Sequence, residues 1–226
     1  MTASICKKGA RETNMYFLAM EMGGQKFIDL IRANGIGRLV ITSKITPYPG
    51  EQWAFDNGAF GFYRRNQPFD MKLYLKRLDM AASIGEPLFA VAPDIVMGGI
   101  SSLEFSNAWM HRHESSVFRY WYLAVQDGMS VEAVEDAITK HSYHGLFLGG
   151  SNEFKYRSGE TWKEICRTYG LKFHYARCGT RKKIMHAKAI RADSIDSALP
   201  IWRTSRLNDL KKMLDDAECI SPLINI

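Results

Sequence analysis

"RYWYLAVQDGMSVEAVEDAITKHSYHGLFLGG", residues 119–150, is the stretch whose reading decides the fold. It opens on a continuous apolar run, "RYWYLAVQ", breaks at a turn, and resumes after Ser130 with Val131, Val134 and Ile138 on a 3.6-residue period. A second apolar run, "GLFLGG" from 145, follows. The order is strand, capped helix, strand. Both apolar runs are near-continuous rather than alternating, which is the pattern of strands buried on both faces of a parallel sheet under helices.

The same unit recurs on both sides. Strand-like runs stand at "MYFLAM" from 15, "RLVITS" from 38, "QWAFDN" from 52, "LFAVAPD" from 88, "KFHYAR" from 172 and "DSIDSAL" from 193, making eight with the two above. Met71, Leu75, Leu78 and Ala82 repeat the helical period behind a cap at Asp70. Eight strands alternating with helices predict an α/β chain folded as a compact (β/α)8 TIM-type barrel, with a doubly wound open sheet as the alternative. The connection "SKITPYPGEQ", 43–52, is too short for a full helix, so the second unit is expected to be irregular. No linker or low-complexity segment breaks the chain. The expected organisation is a basic N-terminal arm over 1–14, carrying Lys7, Lys8 and Arg11, and one catalytic domain over 15–226.

Composition narrows the function classes. With 226 residues and 46% hydrophobic content the chain can bury a sizeable core. Its apolar runs are too short to span a bilayer, and "MTASICKKGARETN" lacks the apolar centre of a signal peptide, so a cytoplasmic protein away from membranes is expected. Cysteines 6, 166, 178 and 219 have no metal-ligand spacing, and reduced thiols with no metal site are expected. The six histidines supply no set either: His111 and His113 cannot share a helix face, and His141 and His144 enter a strand from its inactive end. A net charge of +6 favours a polyanionic partner without requiring one.

In a barrel of this kind chemistry gathers at the C-terminal strand ends, and here those ends are polar. They carry Asp56 in "FDNGAFGF", Asp94 in "APDIV", Gln126 and Asp127 in "AVQDG", Gly149 and Gly150 in "LFLGGS", Arg177 in "ARCGT" and Asp196 in "DSIDS". One such aspartate alone would be read as a helix cap, and one Gly-Gly as a tight turn. Together, carboxylates, an amide and a glycine turn on one rim suit paired nucleophile and acid-base work at a glycosidic carbon.

The ordered set "FDNGAFGF", "APDIV", "LAVQDG", "LFLGGS" and "ADSIDS" resembles the tRNA-guanine transglycosylase superfamily, in particular its DNA-acting branch, the 7-deazaguanine DNA transglycosylases of DpdA type. The resemblance runs from about residue 52 to 200. It implies Asp196 as nucleophile, Asp56 as acid or base, Asp94 reading the purine edge, and Gln126 with the Gly149-Gly150 backbone holding the base carbonyl. Asp193 is then structural. The implied activity is exchange of guanine in DNA for a 7-deazaguanine through a covalent aspartyl-glycosyl intermediate, without a cofactor. The partners are DNA, single-stranded or with a flipped base, and the free bases guanine and 7-deazaguanine. Phe60 or Tyr63 would stack on the flipped base. Members acting on tRNA carry a cysteine-rich zinc subdomain after the eighth strand, and the chain has only Cys219 there, so that subdomain is expected to be missing. A phage origin, with action in the host cytoplasm, would suit so compact an enzyme.

Basic residues offer the grip on the nucleic-acid backbone: Arg64 and Arg65 beyond the third strand, Arg177, Arg181, Lys182 and Lys183 beyond the seventh, Arg203 and Arg206 beyond the eighth. Other functions use overlapping residues. A tRNA-acting relative or a base-hydrolysing glycosylase needs nearly the same site, a non-catalytic DNA-binding barrel needs the basic rim without Asp196, and a sugar-phosphate enzyme could use Gly149, Gly150 and Ser151 as a cradle.

Overall fold

The structure is a computed structural model that describes residues 15–20, 25–41, 51–198 and 212. The N-terminal arm, most of the 43–52 connection, Arg203, Arg206 and Cys219 lie outside the described residues. Eight parallel strands close into a barrel in chain order: β1 (Tyr16–Met20), β2 (Gly37–Val40), β3 (Trp53–Phe55), β4 (Ala90–Val91), β5 (Trp121–Val125), β6 (Tyr143–Leu148), β7 (Lys172–Tyr175) and β8 (Ser194–Ser197). Closure is made by β1 against β8, with Leu18 opposite Asp196. Every strand expected from the apolar runs is present, and the chain has the (β/α)8 TIM-type fold.

The helices among the described residues are α1 (Gln25–Ala33), α2 (Ala59–Arg64), α3 (Met71–Ala82), α4 (Ile100–Met110), α5 (Val131–Lys140), α6 (Asn152–Thr168) and α7 (Arg181–Ala189). Their starts follow local chemistry. Asp70, Ser130, Ser151 and Thr180 each accept a hydrogen bond from the backbone N–H three residues on, satisfying a donor the helix itself cannot. On α3 the period buries Tyr74, Leu78 and Ala81 against the barrel. β4 is the shortest strand because Pro93 has no N–H to extend the ladder beyond Ala92, which still donates to Tyr122.

Strand alternation makes two cores. Leu18, Leu39, Ala54, Phe89, Val91, Tyr122 and Ala124 fill the barrel, while Phe17, Val40, Phe55, Leu123, Leu146 and Ile195 face outward to the helices. Phe89 and Tyr122 stack inside at 4.2 Å between centroids. On β7 and β8 the same parity sends His174, Ser194 and Asp196 inward. Among the described residues no helix is long and apolar enough to cross a membrane.

Candidate active site at the barrel mouth

Asp196 ends the inward row of β8 and is 2% exposed. Its Oδ1 lies 3.0 Å from His174 Nε2 and accepts the Arg177 backbone N–H at 2.8 Å. His174, fully buried, has its Nδ1 2.8 Å from Ser194 Oγ. In the tautomer these contacts fit, Nε2–H donates to the carboxylate and Nδ1 accepts from the serine hydroxyl. The imidazole is fixed by stacking on Phe147 at 4.7 Å and by the tilted ring of Phe89 at 5.1 Å. Oδ2 of Asp196 has no hydrogen bond among the described residues. One oxygen is anchored and the other is free.

Asp56 and Asp94 stand on neighbouring strand ends, near enough for their charges to act on one another. Burial, then the charges of Asp196 and Asp94, push the Asp56 carboxyl up to about 7, against weaker lowering by the Gly58 and Asn57 backbone N–H groups. Burial pushes Asp94 up to about 6, with hydrogen bonds from Asn57 and Gln126 and the Arg177 charge opposing it. Asn57 Nδ2 donates to Asp94 Oδ1 at 2.8 Å and to the Ala92 carbonyl at 2.7 Å. Its own Oδ1 caps Ala59 N–H at the start of α2.

Gln126 reaches the mouth, with its amide turned into the β4 loop. Nε2 lies 2.7 Å from Ser102 Oγ, 3.0 Å from the Ile95 carbonyl and 3.3 Å from Asp94 Oδ2, and Oε1 accepts from Met97 N–H. In this geometry Gln126 orients Asp94. Gly149 commits its N–H to the Val125 carbonyl at 2.9 Å, whereas that of Gly150 has no partner among the described residues. Gly150 has φ +71, and a Cβ there would sit 2.5 Å from Asp127 Oδ2. Asp127 clamps this turn, accepting Ser151 N–H at 2.6 Å and Ser151 Oγ–H at 2.7 Å.

Arg177 is folded into the mouth. Its guanidinium donates to the Gly150 carbonyl and lies 4.5 Å from the Phe60 ring centroid. Lys183 is drawn inward as well, with Nζ 3.3 Å from the Arg177 carbonyl, and burial together with Arg177 lowers its pKa. Arg64 at the end of α2, Arg65 that caps it, and Arg181 and Lys182 on α7 remain exposed. Phe60 and Tyr63, stacked at 6.3 Å, are exposed beside a 70 Å³ cavity that Phe62, Asp94 and Ile95 help line. Asp193 is at the other end of β8, where Lys163 Nζ meets it at 2.7 Å and Phe173 N–H at 2.9 Å.

A cavity of about 270 Å³ opens at the opposite end of the barrel, lined by His111, His141, His144, Arg119 and Lys140. It sits where α4 and α5 end; His111 and His141 meet edge to face at 4.8 Å, Lys140 pairs with Asp136 at 2.7 Å, and no carboxylate among the described residues lines it. The convergent buried carboxyl groups are at the mouth.

Three residues of this network escape a reading of strand ends: His174, Asn57 and Lys155. His174 is a polar residue on the inward parity of "KFHY", and Asn57 directly follows Asp56. Lys155, on α6, is fully buried and donates to the Ala176 carbonyl at 2.5 Å. No protein-family model matches the chain, and no curated protein matches it.

Proposed function

We propose that the chain is a DNA-guanine transglycosylase that exchanges guanine for a 7-deazaguanine base through an aspartyl-glycosyl intermediate. The observation that carries this reading is the asymmetric Asp196 carboxylate, anchored through Oδ1 and open at Oδ2, in the charge field of an Asp56 that still holds much of its proton at neutral pH. Two carboxyl groups in different environments are what a displacement at a glycosidic carbon uses.

In the first half-reaction Asp196 Oδ2 attacks C1′ of the target deoxyguanosine. A C1′–O bond forms, the C1′–N9 bond breaks, and its electron pair leaves with the base, which takes up the Asp56 proton. In the second half, Asp56 removes a proton from the incoming base. The base nitrogen attacks C1′ and the pair of the C1′–O bond returns to Asp196. Asp94 accepts from the N1–H and N2–H edge that guanine and 7-deazaguanines share, and the Gly150 N–H suits the base carbonyl. The exposed Phe60–Tyr63 pair offers a stacking face for an extruded base, and Arg64, Arg65, Arg181 and Lys182 suit flanking phosphates.

Incubation of the protein with DNA and radiolabelled guanine tests this directly. Label entering DNA supports base exchange. Abasic sites without label would indicate a hydrolase, and DNA binding with neither would leave a binding barrel.

A further inference from the structure

The Ala176 carbonyl and the Arg177 N–H are the two ends of one peptide unit, and each is engaged by a buried charged group. Lys155 Nζ, from the first turn of α6, donates to the carbonyl at 2.5 Å, and the N–H donates to Asp196 Oδ1 at 2.8 Å. Lysine is almost never fully buried unless paired, because desolvating an ammonium is costly. Here no carboxylate hydrogen-bonds to it, and its protein acceptor among the described residues is that single carbonyl.

The peptide is held in an unusual orientation. Arg177 has φ +57, a conformation that costs a non-glycine residue about 1 kcal/mol or more and persists only where its surroundings impose it. Three contacts do so: its N–H on Asp196, its carbonyl taking Lys183 Nζ, and its guanidinium on Gly150 O. A donor on a peptide carbonyl withdraws electron density from the nitrogen and strengthens the opposite N–H as a donor.

The geometry points to Lys155 as a positioning residue that acts on the nucleophile through the 176–177 peptide, strengthening and aiming the N–H that fixes Asp196 Oδ1 so that Oδ2 stays presented to C1′. The nucleophilic role of Asp196 rests on the function proposed above, whereas the Lys155–peptide–Asp196 coupling does not. The groups facing Lys155 are Arg177 and Lys183, which disfavour its charge, Asp196, which favours it, the Cys178 thiol, and the Tyr175 ring at 5.3 Å from Nζ. Burial pushes the Cys178 thiol far above its usual range, so it supplies no thiolate at neutral pH. Burial, with Arg177 next, brings the ammonium down to about 7, so the coupling changes strength near neutral pH.

Amide NMR reads the coupling without any assumption about activity. In the wild type the Arg177 amide proton should shift with pH in step with the Lys155 Nζ resonance of the same sample. Asp56, raised to about 7 beside Asp196, titrates in the same range, so the comparison is made in an Asp56→Asn background, where Lys155→Met, which keeps the buried volume, should abolish the step. An Arg177 amide that ignores Lys155 titration in that background, or keeps the step when Lys155 is replaced, overturns the proposal. Base exchange is read in parallel. Lys155→Met should lower kcat about tenfold at pH 6 with KM for the base unchanged, and the ratio to wild type should shrink toward one by pH 8.5 as the wild-type amine loses its charge. A purely structural lysine would give a ratio constant with pH. Coupling in the NMR with no exchange by the wild type would sink the transglycosylase reading and leave the relay standing.

Discussion

His174 Nε2 and Asp196 Oδ1 lie 3.0 Å apart inside the barrel, and each residue is held by a second hydrogen bond, from Ser194 Oγ and from Arg177 N–H respectively. The interaction ties the middle of β7 to the end of β8. It couples the packing of the barrel interior to the orientation of the carboxylate above it.

His174→Phe should therefore cost both stability and turnover. Phenylalanine keeps the stack on Phe147 but leaves Ser194 Oγ and one lone pair of Asp196 Oδ1 buried without a partner, a loss of about 1–3 kcal/mol. For a chain of this size that is a fall of several degrees in Tm, with kcat for the proposed exchange lowered and KM little changed because the Asp196 carboxylate is misaimed. Calorimetry showing an unchanged Tm would mean that the imidazole contacts are not formed in solution.

Base binding should weaken as pH falls through about 6 if Asp94 is the carboxylate that accepts from the purine edge, as proposed, because burial has raised it to about 6. Asp94→Asn replaces one acceptor by a donor facing the base N–H groups. It should lose guanine binding about tenfold or more and lose the part of the pH dependence centred near 6. Isothermal titration of guanine at three pH values checks both. Unchanged affinity in the variant would remove Asp94 from the base site.

The strands and the carboxylates of the mouth were legible because position along the chain decides them. An unbroken apolar run such as "WYLAV" is a barrel strand, and the first polar residue after it is at the rim. Asp70 and Ser130 announced their helices for the same local reason. The wiring among rim residues was not legible, since it depends on partners distant in sequence. Nothing local sets Lys155 apart from the other charged residues of α6, because its acceptor, the Ala176 carbonyl just past β7, lies 21 positions away. Arg177 reads as a phosphate contact until Phe60 and Gly150 enclose its guanidinium. Gln126 reads as a ligand for the base, and its bonds to Ser102 and the Ile95 carbonyl reach back 24 and 31 positions in the chain.

Asp56 should make stability fall with rising pH. The unfolded chain releases this proton near pH 4, while the folded chain holds it to about 7, for burial first and the Asp196 and Asp94 charges next. Between these values the folded state binds more protons, so the contribution is fully present below about pH 4 and is lost as pH rises to about 7. It should amount to a few kcal/mol, on the order set by the shift. Asp56→Asn lacks the term, so wild type should lose stability relative to the variant between pH 4 and 7 in urea titrations. A difference constant with pH would contradict the burial of Asp56.

Gly150→Ala should be destabilising well beyond the usual cost of a methyl group. The new Cβ meets Asp127 Oδ2 at 2.5 Å in a backbone with φ +71. Strain of about 1–3 kcal/mol is expected, together with displacement of the carbonyl that anchors Arg177. Pairing the change with Asp127→Ala should recover part of the loss by relieving the contact, though that variant also gives up the clamp on Ser151. Strict additivity in the double-mutant cycle would show that the clash is relieved elsewhere.

Asp196→Asn separates binding from chemistry. The amide oxygen of asparagine can accept both hydrogen bonds now made to Oδ1, so His174 and Arg177 keep their partner and the barrel should fold with little change in Tm. The amide nitrogen then occupies the place of the free Oδ2 and cannot attack C1′ at a useful rate. DNA and base binding should persist while exchange falls by several orders of magnitude, with no protein–DNA adduct on denaturing gels. Asp56→Asn should differ, slowing exchange while an adduct still accumulates, because in the proposed scheme Asp56 moves the proton of the departing and arriving base and makes no bond to carbon. An adduct that survives in Asp196→Asn but vanishes in Asp56→Asn would exchange the two roles. Full exchange in both variants would leave this rim without the proposed chemistry.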